Sequence, residues 1–141
     1  MRLTGLTEHI RTAFEQVGYV HGIYFGDVYE LWNNEQVQYV AACVTLEQVQ
    51  TVGELKQYGL VIYCADKLLD DESNTTHALD YAEGAIDAAL NHLQFAVDEI
   101  VDVHTDRIYT PFVQKFADTL AGYWVRAEIV VRPDVTLCDD I

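Results

Sequence analysis

Apolar residues recur at three- and four-residue steps in two stretches of the chain, and this spacing is typical of one face of an α-helix. The first stretch predicts an amphipathic helix over residues 3–17, with Gly18 as its C-terminal cap. The second predicts a long helix, for which Ser73, Asn74 or Thr75 supplies the N-cap oxygen. The apolar stripe of this long helix consists of Leu79, Ala82, Ile86, Ala89, Leu90, Leu93 and Val97.

Strand-like patterns lie before and after the long helix. Residues 37–46 contain β-branched side chains, and residues 58–65 are almost continuously apolar, as in a central strand covered on both faces. The segment between them predicts a hairpin connection that turns at Gly53. Residues 100–109 predict another strand. Residues 123–132 alternate between apolar and polar side chains, so we expect a strand with one core face and one solvated face.

The order of these elements predicts an α+β fold. We expect a mainly antiparallel β-sheet, with the N-terminal helix and the one long central helix packed on it. Residues 19–34 are rich in glycine and aromatic side chains, which indicates a long loop or short strands. Neither repeats nor linkers interrupt the sequence, so residues 1–141 are predicted to form a single domain.

Acidic side chains dominate the charge of the chain. The net charge is −15, and residues 66–106 contain eleven acids but only one base, Lys67. Such a surface repels nucleic-acid phosphates, which argues against a protein that reads DNA sequence. Asp70, Asp71 and Glu72 belong to this region. Two interpretations stay open: a solvated face that maintains solubility, or a surface that lets DNA pass or meets a basic partner.

The sequence contains little that indicates chemistry. It has no phosphate-binding loop, no dinucleotide-binding glycine motif and no zinc-protease motif, so we expect neither an enzyme nor a cofactor. His77 with Asp70, Asp71 and Asp80 resembles a metal site but is also ordinary capping material at a helix start, and no metal is expected. One set of side chains alternates like an acid–base pair or an exposed strand face: Asp102, His104 and Asp106.

The cysteines and the hydropathy indicate where the protein is made. Cys43 and Cys64 lie in apolar runs and Cys138 lies in an acidic tail, so we expect two core residues and one free thiol rather than disulfides. No apolar run reaches the roughly 20 residues that a membrane span requires. The first residues lack the apolar stretch of a signal peptide, and synthesis in the cytosol is expected.

Two segments resemble a known family. Residues 108–125, IYTPFVQKFADTLAGYWV, are similar to the closing segment of phage tail-completion and tail-terminator proteins. Residues 63–74, YCADKLLDDESN, resemble the passage before the main helix of that family. The order of helix, strands, helix and strands also agrees. Residues 19–34 depart from the family pattern, and ring proteins of head–tail connectors, including those of crAss-like phages, fit equally well.

The resemblance implies a structural virion protein. It implies antiparallel strands covered by helices, assembled with copies of the same chain into a ring in the head–tail connector or tail, of six or twelve copies. Neighbouring portal, connector or tail proteins would be its other partners. DNA would pass through the ring without specific binding, and no membrane is involved. Two other functions stay open: a DNA-mimic inhibitor of a host enzyme, or a small acidic ligand-binding protein or enzyme.

Aromatic residues near the end of the chain are the candidate contacts between subunits. Tyr109, Phe112, Phe116 and Leu120 follow each other at steps of three and four, which predicts a short helix or turn over residues 110–122. The rings either close the edge of the core or anchor a neighbouring subunit, because aromatic residues dominate interface hot spots. The candidates are Tyr109, Phe112, Phe116 and Trp124, and the acidic candidates facing a channel or partner are Asp70, Asp71 and Glu72.

Overall fold

The N-terminal helix and the long central helix both form, and both pack on one mainly antiparallel sheet, so the predicted α+β class is confirmed. The computed structural model describes residues 1–34 and 36–133. In chain order its elements are helix α1 (Leu3–Glu15), strand β1 (Gly22–Phe25), helix α2 (Val28–Trp32), strands β2 (Ala41–Val52) and β3 (Leu55–Lys67), helix α3 (Thr75–Ala96), and strands β4 (Ile100–His104), β5 (Thr110–Lys115) and β6 (Thr119–Val131). The assignment of residues 1–141 to a single domain stays a prediction.

The sheet has the order β1-β2-β3-β6, and β6 carries two strands on its outer side. Strand β5 pairs with the first half of β6, and β4 pairs with its last residues. These two strands therefore share one position in the sheet, one after the other. Every pair is antiparallel except β1 with β2, which is parallel. Strand β3 lies between β2 and β6, as the apolar run over residues 58–65 predicted.

The main core lies between the sheet and helices α1 and α3. Alternate residues of β6 point toward the helices, as the sequence pattern predicted, and Val125 and Ile129 are almost fully buried there. Ile86 and Leu90 of α3 pack from the opposite side with no exposed surface. Burial of each of these side chains contributes about 1.5–3 kcal/mol, so this layer holds the helices on the sheet.

Several predicted boundaries were wrong by a few residues. Helix α1 ends at Glu15 with Gln16 as its cap, so Gly18 lies outside the helix. Strand β2 begins four residues later than predicted and continues to Val52, and the hairpin turns at Gly53. That glycine has a positive φ of 61°, a conformation that residues with a side chain rarely adopt. The segment over residues 19–34 contains strand β1, as one alternative predicted, and helix α2, which was not predicted.

The N-cap of α3 differs from the prediction in its chemistry. Asn74 is the cap residue, but its side chain makes no hydrogen bond to the first turn of the helix. Its carboxamide instead bridges the preceding strand end, accepting from the Leu69 N–H at 2.8 Å and donating to the Lys67 carbonyl at 3.2 Å. Asn74 therefore fixes the turn between β3 and α3 rather than capping the helix.

The predicted helix or turn over residues 110–122 is wrong, since this segment is the hairpin of β5 and β6. Six residue pairs join the strands, from Thr110↔Trp124 to Lys115↔Thr119. Residues 110–115 form a strand because their backbone pairs with the outer edge of β6. The local spacing of aromatic residues does not reveal this tertiary pairing. Pro111 has no N–H to donate, and β5 tolerates it because, within the described residues, β5 is an edge strand.

The two described cysteines are core residues, as predicted. Cys43 is 1% exposed and Cys64 is fully buried. Burial raises the pKa of each thiol to about 12, so neither is a reactive thiolate at neutral pH. The predicted free thiol of Cys138 lies outside the described residues.

Replacing Gly122 with alanine tests how closely β3 and β6 approach. A Cβ atom at this position would collide with the Cys64 carbonyl oxygen and would lie 2.7 Å from the Ala65 Cα atom. Both neighbours are backbone atoms, so we expect Gly122→Ala to lower the free energy of unfolding by about 3 kcal/mol or more, measured by urea denaturation. Gly18→Ala is the control, because no atom lies within 4 Å of its added Cβ. Equal midpoints for the two variants would contradict this close approach.

Candidate interaction surface on the sheet

The sheet has a second face, opposite α1 and α3, which is here called the open face. Because alternate residues of a strand point to opposite sides, Trp124, Arg126 and Glu128 of β6 project onto it. The register places Tyr63 of β3 beside Trp124, and Val61 beside Arg126. Side chains that lie directly opposite each other in antiparallel strands are close enough to be in contact. The β3–β6 register therefore assembles an aromatic and charged surface from two distant segments.

Helix α2 covers one end of the open face. Its first turn is capped by Asp27, whose carboxylate accepts from the Tyr29 N–H at 2.8 Å and the Glu30 N–H at 3.3 Å. Trp32 at its other end is 1% exposed. The Ala117 N–H, in the turn between β5 and β6, donates to the Trp32 carbonyl at 3.3 Å. These contacts attach the β5–β6 turn to α2.

Between α2 and the strands lies a cleft of about 230 Å³, here called the aromatic groove. Its described lining is Val28, Tyr29, Trp32, Val61, Tyr63, Phe112, Gln114, Phe116, Trp124 and Arg126. The Tyr29 and Phe116 rings lie 6.3 Å apart, and the Tyr29 side chain is largely exposed. The groove thus presents aromatic rings to solvent and contains no carboxylate in its described lining.

Arg126 forms the boundary between the aromatic groove and a polar part of the open face. Its guanidinium lies 5.2 Å from the centre of the Trp124 ring, and its Nε atom lies 3.1 Å from Glu47 Oε1. The Arg126 side chain is 67% exposed, so the ion pair contributes less than about 1 kcal/mol to folding. Arginine and tryptophan are, however, two of the residue types that are enriched at binding hot spots, and here they are in cation–π contact.

The polar part of the open face contains Glu128, Asp102 and His104. Gln57 Nε2 donates to Glu128 Oε2 at 2.8 Å, and His104 Nε2 lies 3.2 Å from Asp102 Oδ2. Asp106, the third residue of the predicted alternating set, follows the end of β4 and is not part of the strand. About half of the Asp102 and His104 side chains is exposed, so these residues match the exposed strand face rather than a buried acid–base pair.

Three of the four aromatic candidates come together and one does not. Phe112, Phe116 and Trp124 line the aromatic groove. Tyr109 packs on the helix side, where its ring meets Tyr123 edge-on at 5.9 Å and its hydroxyl donates to the Asp87 carboxylate. Burial and this hydrogen bond raise the pKa of Tyr109 above its ordinary value. Tyr109 is therefore a packing residue of the main core.

The acidic candidates Asp70, Asp71 and Glu72 form an exposed turn before α3. The Ser73 N–H donates to Asp71 Oδ1 at 3.0 Å, and this hydrogen bond lowers the pKa of the Asp71 carboxyl. None of the three acids lines the aromatic groove. The structure thus separates the acidic and the aromatic candidates into two sites.

The sequence interpretation missed Tyr29, Tyr63 and Arg126 as members of this surface. The alternation in residues 123–132 already placed Trp124 and Arg126 on the solvated side of the strand, and a tryptophan on that side is a signal for a contact surface. Tyr63 shows no such signal, because it lies in a run that is apolar on both faces. Tyr29 belongs to α2, which no pattern predicted.

No protein-family model matches this chain, and no curated protein matches it significantly. None of the helices in residues 1–34 and 36–133 combines the length and the hydropathy that a membrane span requires. Within residues 1–34 and 36–133, no three or more His, Cys, Asp and Glu side chains form a group that could hold a metal ion.

Metal titration tests the acidic turn. Asp70 and Asp71 are exposed, and the contacts around Asp71 are those of an ordinary turn, so we expect no tight ion site with His77. Isothermal titration calorimetry with calcium, magnesium and zinc should show no dissociation constant below about 10 µM. A chelator should also leave the melting temperature unchanged. A tight, stoichiometric ion that is lost in an Asp71→Asn variant would overturn this prediction.

Phe112→Ala separates a core role from an anchor role. The Phe112 ring is only partly buried, so its truncation should lower the free energy of unfolding by about 1–2 kcal/mol. Leu120→Ala is the matched control on the same hairpin, because Leu120 is fully buried. This variant should lose about 2–5 kcal/mol of unfolding free energy. If Phe112 anchors a neighbouring subunit, its variant stays folded but does not assemble. Equal losses in urea denaturation would identify Phe112 as core, and full stability with full assembly would remove both roles.

Proposed function

We propose that this chain is a non-enzymatic structural protein of a phage virion, which forms a homo-oligomeric ring in the head–tail connector or tail. It is made in the host cytoplasm, joins neighbouring portal, connector or tail proteins, and surrounds a channel through which DNA passes. The observation that carries the proposal is the aromatic groove, with Arg126 stacked on Trp124 at its rim.

The composition of this groove supports a protein contact. Large aromatic rings and arginine bury much area at a small cost in side-chain entropy, and they are enriched at the centre of interfaces. Here Phe112, Phe116 and Trp124 are brought to one surface although the main core lies on the opposite side of the sheet. A protein that covers the groove would remove these rings from water. It would bury no unpaired carboxylate of the described lining, because that lining contains no Asp or Glu.

The acidic surface supports a passage for DNA rather than a binding site. The exposed turn of Asp70, Asp71 and Glu72 belongs to the region over residues 66–106 that carries eleven acids. Such a wall repels phosphates, so DNA would move past without specific contacts. The same acids suit a basic neighbour in the assembly.

The alternatives receive less support from the same geometry. Small-molecule sites usually have volumes of about 300–1,000 Å³, which is larger than the aromatic groove of about 230 Å³. A cleft of about 490 Å³ beside α1 reaches that range, but its described lining contains a single acid, Asp27, which caps α2, and no histidine or cysteine. The described lining of the groove also contains no histidine, cysteine or acid for catalysis. A DNA mimic would expose acids spaced like phosphates and act as a monomer or dimer. On the open face, the acids Asp102 and Glu128 instead lie beside His104 and the exposed Arg126.

Mass measurement on the purified full chain tests the ring. Native mass spectrometry should give six or twelve copies of the 16.0 kDa chain. Trp124→Ala should weaken the assembly by roughly tenfold or more, because it removes the ring on which Arg126 stacks. Phe95→Ala is the control, since Phe95 is 78% exposed on α3 and lies outside the groove.

A chain that is monomeric both in purified form and within particles would overturn the ring. A monomer or dimer that inhibits a DNA-binding enzyme would favour the DNA mimic instead. An assembly that Trp124→Ala leaves intact would remove the aromatic groove from the contact but keep the ring.

A further inference from the structure

Strand β2 has no partner on its outer side over eight of its twelve residues, within the described part of the chain. Strand β1 pairs with Ala41–Val44 and then ends at Phe25, so the rest of β2 pairs only with β3. This outer edge, residues 45–52, is here called the β2 notch. Its free backbone N–H and C=O groups form a template on which another strand can add.

The β2 notch lacks most of the features that protect edge strands. Natural edges carry charges, prolines or bulges that prevent pairing with other chains. Residues 48–52, QVQTV, contain neither a charge nor a proline in a chain of net charge −15. Val49 and Val52 are 46% and 48% exposed. The charge of Glu47 and the bulge beside it are the protective features seen here, and both lie at the end of the notch near β1.

The topology of the sheet selects β5 of another copy as the strand that fits. Successive strands β2, β3, β6 and β5 are antiparallel, so β5 runs opposite to β2. A rotation between neighbouring copies that changes the strand direction only moderately preserves this relation, so β5 of the next copy would meet the notch antiparallel. Strand β4 cannot take this place. It shares its sheet position with β5, which would then overlap β1 of the neighbour.

One register matches the side chains of the two edges. Val113 lies on the helix side of its strand, opposite Ala121, and Val49 lies on the same side of β2, opposite Tyr58. With Val113 opposite Val49, two exposed apolar side chains cover each other across the junction.

We propose that the β2 notch of one copy binds strand β5 of the next copy, extending the sheet from subunit to subunit. The inference rests on the proposed ring and names its lateral contact. Because the two edges lie at opposite margins of the sheet, the contact is heterologous. The register displaces the neighbour by eight residues along the strands, since Val113 is level with Asp66 and Val49 is level with Tyr58. The contact therefore closes into a ring about an axis oblique to the strands, as strands tilt in a barrel.

Chemical cross-linking tests the pairing in a Cys138→Ser background, where the other cysteines are buried. With a short bis-maleimide, Val49→Cys combined with Val113→Cys should give a ladder of dimers, trimers and larger species. Val49→Cys alone should give none, because it cross-links only if two β2 edges pair around a two-fold axis. The control pair of Val49→Cys and Phe95→Cys places the second thiol on α3 and should also give none.

A tandem fusion of two full-length copies makes the test independent of spontaneous assembly. A flexible linker raises the effective concentration to about the millimolar range, so complementary edges would meet even if the free chain is monomeric. The cysteine at position 49 in one copy and at 113 in the other should then cross-link. The same fusion with Phe95→Cys in place of Val113→Cys should not.

The outcomes separate the lateral contact from the ring itself. If mass measurement shows a ring but Val49→Cys and Val113→Cys do not cross-link, the edge pairing is overturned and the proposed ring is retained. A cross-link in the fusion together with a monomeric free chain supports the edge pairing and counts against the ring. If neither the free chain nor the fusion cross-links, the edge pairing is overturned whatever the mass.

A charge substitution provides a second readout that does not depend on a cross-linker. Val49→Lys places an ammonium group where an apolar contact is expected and should weaken assembly by roughly tenfold or more. Phe95→Lys should change it little. Both positions are exposed in the subunit, so both variants should fold. Unchanged assembly of the Val49→Lys variant would contradict the proposed register.

Discussion

The pairing of β3 with β6 is the contact on which the rest of the structure depends. The two strands stay in register from Lys56↔Val131 to Lys67↔Leu120, and every other strand attaches to one of them directly or through β2. Gly122 permits the close backbone approach within this pair. The alternation of side chains along the pair then creates both surfaces at once. One face is buried under α1 and α3, and the other carries the aromatic groove.

The sequence predicted those elements whose periodicity is long enough to be unambiguous. The stripe of α3 and the alternation of β6 each extend over many residues, and both appear in the structure. The segment over residues 110–122 is too short for this. Phe112 and Phe116 are four residues apart, a spacing that puts both side chains on one face of a helix and also of a strand. Tyr109 is three residues from Phe112, and it indeed lies on the other side of the sheet.

The candidate surface was only partly predictable, because cross-strand register creates it. Trp124 and Arg126 were visible as exposed positions of one strand, but no local pattern indicates that Tyr63 and Val61 lie beside them. Helix α2 has five residues, which is too short for a periodic signal, and its cap at Asp27 is a single polar residue in an aromatic stretch. The groove therefore depends on tertiary pairing more than on propensity.

The distribution of acids limits where copies of this chain can touch. A net charge of −15 opposes self-association, and at physiological salt this repulsion is screened only beyond about 8 Å, so it acts at contact. Two surfaces avoid it. The described lining of the aromatic groove contains no acid, and residues 48–52 of the β2 notch carry no charge. The acidic turn over residues 70–72 lies outside both, where it faces solvent or a channel at no cost to a contact. In the proposed assembly, repulsion between the acids would therefore restrict contacts between copies to these two surfaces.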